Sequence, residues 1–189
     1  MFNDYFVNVG HNLNSKFITH TNNHVGNYIV NNIKSAFFTP ISPDEIVEIV
    51  KDFKSNTSSG YDDIDMKVVK KIIINICQPL SVIFNKCLDC GVFPDKLKIA
   101  RVIPVFKSGS QEVLSNYRPI SVLPIFSKVF EKCIYNRLLS FINKCNILTS
   151  NQYGFREGHS TSHALINFIR NITNAIDNEE VMLGIFFRS

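Results

Sequence analysis

Two cations, Lys107 and Arg118, stand at the inner ends of two short β-type runs, Ala100 to Phe106 and Tyr117 to Leu123. A polar loop containing Gly109 joins them, so pairing the runs as a hairpin would bring a mobile ammonium and a forked guanidinium onto one phosphate. The plainer alternative is that both simply solvate a turn. A second group is Tyr153-Gly154-Phe155-Arg156. There Gly154 would admit a close backbone approach, and Tyr153 or Phe155 could stack on a base. The same residues read equally well as two core aromatics beside a surface arginine.

Metal chemistry has weaker candidates. Asp62, Asp63 and Asp65 cluster just ahead of an apolar helical pattern over Met66 to Ile76. Helix capping and a favourable dipole interaction explain that placement more simply than a metal ion does. Cys87 and Cys90 form a lone CxxC inside another apolar helical pattern, with no second pair at metal spacing, which reads as buried thiols. His20 and His24 lie in an unpatterned, Asn-rich stretch and read as surface residues, and His159 and His163 lack an obvious nucleophile. No GxSxG, P-loop, GxGxxG after a strand or HExxH occurs.

The elements that must position these groups are mostly helical. Met1 to Phe17 places Phe2, Phe6, Val9, Leu13 and Phe17 at three- and four-residue steps, and Ile18 to Asn32 reads as a loop. Ser42-Pro43-Asp44-Glu45 is a helix start whose apolar face is Ile46, Ile49, Val50 and Phe53. A polar loop, Ser55 to Gly60, follows. Met66 to Ile76 and Pro79 to Cys90 read as two helices, the second stopped by a left-handed Gly91. After Pro124, the strongest helical pattern, about Ile125 to Asn143, turns Phe126, Val129, Phe130, Cys133, Ile134, Leu138 and Phe141 to a core. Asn151 to His159 is a turn. Ser160 or Thr161 then caps a helix with Ala164, Leu165, Phe168, Ile169, Ile172 and Ile176 inward, and Val181 to Phe187 reads as a strand buried on both faces. The class expected is α+β, predominantly helical, as one domain of helices around a small sheet.

Composition narrows the partners. With 189 residues and 45% apolar content, the chain suits one compact core or one lobe of a larger enzyme. Its net charge of +4 is concentrated. Between Asp95 and Arg137 stand Lys96, Lys98, Arg101, Lys107, Arg118, Lys128, Lys132 and Arg137 against only Asp95, Glu112 and Glu131. A basic segment of this kind suits a phosphate-bearing partner. Five cysteines, an odd number, and an amphipathic rather than signal-like start point to free thiols in an intracellular, not secreted, protein. No uninterrupted apolar run reaches the roughly 20 residues of a membrane span, so no membrane partner is expected.

Four blocks in order, VIPVFKSG, NYRPISVLP, SKVFEKCIYNRL and NQYGFREGHST, resemble the N-terminal part of the reverse transcriptase of non-LTR, LINE-type retrotransposons. The likeness covers roughly Ile41 to Phe187. Gly60-Tyr61-Asp62-Asp63-Ile64 matches the family's Gly-x-Asp-Gly-Ile, except that Asp63 replaces Gly. The resemblance implies a linker over residues 1–41 and, over 42–189, the fingers and first palm strand of an incomplete right-hand polymerase fold. It further implies RNA-directed DNA synthesis with an RNA template, a DNA primer, dNTP and Mg2+, located in the nucleus or cytoplasm. Lys107 and Arg118 match residues that contact the triphosphate; Tyr153, Gly154, Phe155 and Arg156 match a block near the template strand and nucleotide pocket. Where the family carries its first metal-binding Asp this sequence has Arg188, and the later block with two adjacent Asp residues is missing. A cation there would repel a metal ion, so no catalytic residue, no metal ligand and no polymerase activity are expected of the chain alone. The alternatives are a domesticated nucleic-acid-binding module and a structural or non-functional remnant of a truncated gene, self-associating through its exposed palm strand.

Overall fold

The computed structural model describes residues 1–14 and 38–185. The expectations for Phe17, the loop Ile18 to Asn32, His20, His24, Phe187 and Arg188 lie outside these residues. In chain order the elements are α1 (Phe2–Asn14), α2 (Pro43–Asp52), α3 (Met66–Cys90), α4 (Asp95–Lys98), β1 (Arg101–Phe106), a 3-10 turn (Leu114–Asn116), β2 (Tyr117–Val122), α5 (Ile125–Lys144) and α6 (Thr161–Asp177). The class is helical with one small antiparallel sheet, β1-β2, and the chain forms two compact units, Met1–Ser140 and Phe141–Ser189.

The first unit is built on α2, α3 and α5. Ile46, Ile49 and Val50 of α2 meet Met66, Val69, Ile73 and Phe84 of α3 and Ile125, Val129, Phe130 and Cys133 of α5, all buried. Phe84 and Phe93 stack on Phe130 with ring centroids 4.5 and 5.1 Å away. These are the apolar positions that helical spacing marks out, and truncating either Phe84 or Phe130 to Ala would cost roughly 3–5 kcal/mol.

Polar groups close the unit. Ser42 caps α2 by accepting from the Glu45 amide at 3.2 Å. Buried Ile41 is held by α3, where the Ser81 hydroxyl and the Asn85 amide donate to its carbonyl at 2.6 and 2.9 Å. Asn85 Oδ1 also accepts from the Ile41 amide at 2.7 Å. Gly60 is buried against the start of α5, where a Cβ would stand 2.5 Å from the Pro124 nitrogen, so only glycine fits.

Cys90, read as a buried thiol, and Leu138, read as facing the core, are exposed, and Cys87 is only partly buried. Three further expectations are corrected. Met66 to Ile76 and Pro79 to Cys90 are one 25-residue helix, α3, with Pro79 inside it. Proline removes one helical hydrogen bond, but apolar residues on both sides of it, Val69 and Ile73 before and Phe84 after, are anchored in the same core. As one helix, with a mean hydropathy of 1.3 over 18 residues, α3 is long and apolar enough to cross a membrane, although one of its faces is core here. Gly91 ends it as expected, at φ 64°.

The second correction is α6. Ser160 caps it by accepting from the His163 amide at 3.3 Å, but none of its residues is buried; Leu165, Ile169 and Ile176 are exposed. Amphipathic spacing identifies a face without supplying its cover. Third, Val181 to Ile185 takes no regular structure. An apolar run becomes a strand only when a neighbour pairs its backbone, and among the described residues this run has none.

Candidate nucleic-acid interface

The hairpin pairs Val102 with Ser121, Ile103 with Ile120, Pro104 with Pro119, Val105 with Arg118 and Phe106 with Tyr117. The Lys107 amide donates to the Asn116 carbonyl at 2.8 Å, which extends the ladder by one step. Side chains alternate between the faces of a strand, so Ile103, Val105 and Lys107 share a face with Ile120 and Arg118. Lys107 and Arg118 are diagonal neighbours on that face, roughly 7–8 Å apart by ladder geometry and within reach of one phosphate.

The loop between the strands is ordered by its own polar groups. Asn116 donates to the Ser110 carbonyl at 2.9 Å and the Tyr117 hydroxyl to the Gln111 carbonyl at 2.9 Å. Gly109 has φ 91°, and a Cβ there would lie 2.6 Å from the Asn116 amide nitrogen. The opposite face of the hairpin packs on α1. Phe2 meets the Tyr117 ring edge-on at 4.8 Å, and Tyr117 meets Phe106 at 5.5 Å. Helical spacing of Phe2 and Phe6 signalled an amphipathic element; which surface it covers was not legible.

The basic segment is sorted by contact. Arg137, only 8% exposed at its side chain, donates to both Glu45 oxygens at 2.7 and 2.8 Å and to the carbonyls of Thr39, Pro40 and Cys133. The Glu45 hydrogen bond raises its pKa further. Arg101 pairs with Asp63 at 2.7 Å and Lys98 with Asp95 at 2.8 Å. Lys128 donates to the Ser58 carbonyl at 2.6 Å, and burial lowers its pKa against the pull of Asp62 and Glu131. Lys132 sits 4.6 Å from the centre of the Tyr135 ring. Lys107 and Arg118 are exposed and make no side-chain hydrogen bond or ion pair among the described residues.

The acidic cluster does not suit a metal ion. Asp65 caps α3 by accepting from the Lys67 amide at 2.8 Å, Asp62 accepts from the Ile64 amide, and Asp63 faces Arg101. No group of three or more potential ligands occurs among the described residues. Asp63 has φ 52°, the left-handed backbone that favours glycine.

Tyr153, Gly154, Phe155 and Arg156 form a loop in the second unit. Tyr153 is half-buried, its ring 5.9 Å from that of His159. Phe155 is fully exposed and held at φ 58°, an uncommon backbone for an aromatic residue. Arg156 donates to the Thr149 carbonyl at 3.1 Å, and a Cβ on Gly154 would meet nothing within 4 Å.

No family model matches the chain. Among curated proteins it is 34% identical over 148 residues to the probable RNA-directed DNA polymerase from transposon BS of Drosophila melanogaster. It is 32% identical over 149 residues to the probable RNA-directed DNA polymerase from transposon X-element of the same species. With the RNA-directed DNA polymerase from its mobile element jockey the identity is 30% over 147 residues. These matches take in 77–78% of this chain, which spans 16% of the length of each relative.

Proposed function

Because the chain belongs, as one segment, to the RNA-directed DNA polymerases of non-LTR retrotransposons, we propose that it is the fingers portion of such an enzyme. In the whole protein it positions substrates for RNA-templated DNA synthesis. Lys107 and Arg118 hold the triphosphate of the incoming nucleotide, and the Tyr153 to Arg156 loop lies against the template and nucleotide. The observation that carries this reading is the hairpin face itself, on which two cations without protein partners among the described residues stand beside exposed Ile103, Val105 and Ile120. Such a face offers charge to phosphates and apolar surface to sugar and base. The right-hand polymerase fold and the linker role of residues 1–41 belong to the same proposal.

The polymerase family uses a divalent metal, Mg2+ by resemblance, and the described acidic residues do not fit one. The reading therefore assigns this chain binding and orientation, and routes no chemical step through it. Fluorescence anisotropy with an RNA–DNA primer-template tests the reading. Wild type binds with affinity that falls steeply with salt, and the double change Lys107→Ala with Arg118→Ala weakens binding about tenfold or more and flattens the salt slope by about two contacts. Binding that is absent, or indifferent to salt and to both changes, would sink it. Primer extension by the chain alone, supplied with Mg2+, is expected to give no product.

A further inference from the structure

We propose that the second unit carries a separate phosphate-binding pocket between the Ser150 to His159 loop and α6, and that it takes a backbone phosphate of a nucleic-acid strand. This deepens the nucleic-acid reading above and rests on it, adding His159, His163, Asn167 and Arg170 to the Tyr153 to Arg156 loop. A cavity of about 380 Å³ is lined by Ser150, Tyr153, His159, His163, Asn167 and Arg170 among others. Its chemistry is one-sided. It offers two hydroxyls, a carboxamide, two imidazoles and a guanidinium, and no carboxylate lines it.

Sequence spacing explains the convergence. His163, Asn167 and Arg170 stand at successive three- and four-residue steps, on one face of α6. Gly158, at φ 72°, turns the loop back over that face. The neighbouring contacts orient the rings. His159 Nδ1 lies 3.0 Å from the Glu157 carbonyl, which can only accept, so that nitrogen donates there. In the neutral ring Nε2 is then an acceptor, and the hydrogen bonds to a phosphate come from the guanidinium, the carboxamide and the hydroxyls. His163 Nδ1 lies 3.4 Å from the Ser160 hydroxyl, and the two rings stand 6.4 Å apart.

Arg170 has no carboxylate partner among the described residues, so its five N–H groups are available to a phosphate in forked geometry. Two histidines with no third ligand are a poor metal site, and the described residues contain no larger cluster. A phosphate ester is the anion this donor set fits. A strand is favoured over a free nucleotide because fully exposed Phe155 belongs to the same loop and unit, which places a stacking surface and a phosphate pocket together.

The test uses the full chain and a short single-stranded RNA. Arg170→Ala combined with His163→Gln is expected to weaken binding about tenfold and reduce the salt slope by about one contact. Arg170→Lys should retain part of the affinity, and the ring signals of His159 and His163 should shift as RNA is added. Unchanged affinity and salt slope in the double variant, while the Lys107 and Arg118 changes still weaken binding, would overturn this pocket alone. Loss of RNA binding in wild type would overturn both readings. If a nucleoside triphosphate or inorganic phosphate shifts the two rings and displaces RNA at equal phosphate concentration, the strand assignment fails.

Discussion

Arg137 shows how one residue type serves two purposes within a basic segment. Its bidentate pair with Glu45, together with three backbone carbonyls, ties α5 to the start of α2. Removing one partner of so well-enclosed a pair leaves the other charge poorly solvated. Arg137→Ala should therefore lower the unfolding free energy by about 3 kcal/mol in urea titration, and Arg137→Lys should recover little because an ammonium cannot make the fork. Cys133, one turn earlier, is fully buried, and burial first, then Glu45, pushes its thiol from 9.0 up to about 12. The unfolded thiol ionises at lower pH than the folded one. Its contribution to stability is complete below pH 9.0 and is lost as pH rises towards about 12, with a slope of up to roughly 1.4 kcal/mol per pH unit. Cys133→Ser should remove that part of the alkaline slope in unfolding measured across this window.

At the scale of elements, α3 and the chain leading into it hold the informative departures from local preference. Proline inside a helix costs about 3 kcal/mol relative to alanine. Pro79→Ala should therefore raise the melting temperature of the first unit, and an unchanged or lower value would mean that the ring itself fills a needed space. Gly60→Ala should do the opposite, because its Cβ meets the Pro124 backbone, which cannot rotate away; a loss of roughly 1–3 kcal/mol is expected from such overpacking. Asp63→Gly sets relief of a left-handed backbone against loss of an exposed ion pair with Arg101. Both terms are about 1 kcal/mol or less, so the change should be nearly neutral in thermal unfolding. Glycine would adopt this backbone without the strain a side chain meets there.

For the whole molecule, the exposed apolar surface matters most. On α3, Val68, Ile72, Val82 and Ile83 stand exposed, and on α6 so do Leu165, Ile169 and Ile176. Exposed apolar faces of this kind drive association. Sedimentation velocity of the chain alone should show concentration-dependent self-association, reduced by Ile169→Glu together with Val82→Glu. A monodisperse monomer at all concentrations would show that these faces are not sticky. The main helical segments, the hairpin, the cap at Ser42 and much of the first core could be read along the chain. Which of Asp62, Asp63 and Asp65, and which of Ser160 and Thr161, acts as a cap came from the structure. The fate of the cations could not be read along the chain, because pairing with Asp63, Glu45 or a carbonyl depends on residues far away in sequence.

Local chemistry determined what the sequence alone could determine: helical spacing, capping residues, turn glycines, the two β runs with Lys107 and Arg118 at their ends, and four blocks specific enough to identify the polymerase family. Those features depend on neighbours within a few residues. Tertiary structure decided that α3 runs through Pro79, that α1 covers one face of the hairpin, that Arg137 belongs to the scaffold while Lys107 and Arg118 remain available, and that His163, Asn167 and Arg170 share a cavity with Tyr153. Each of these outcomes turns on which distant groups meet, and burial and pairing energies between such groups exceed the local preferences they override.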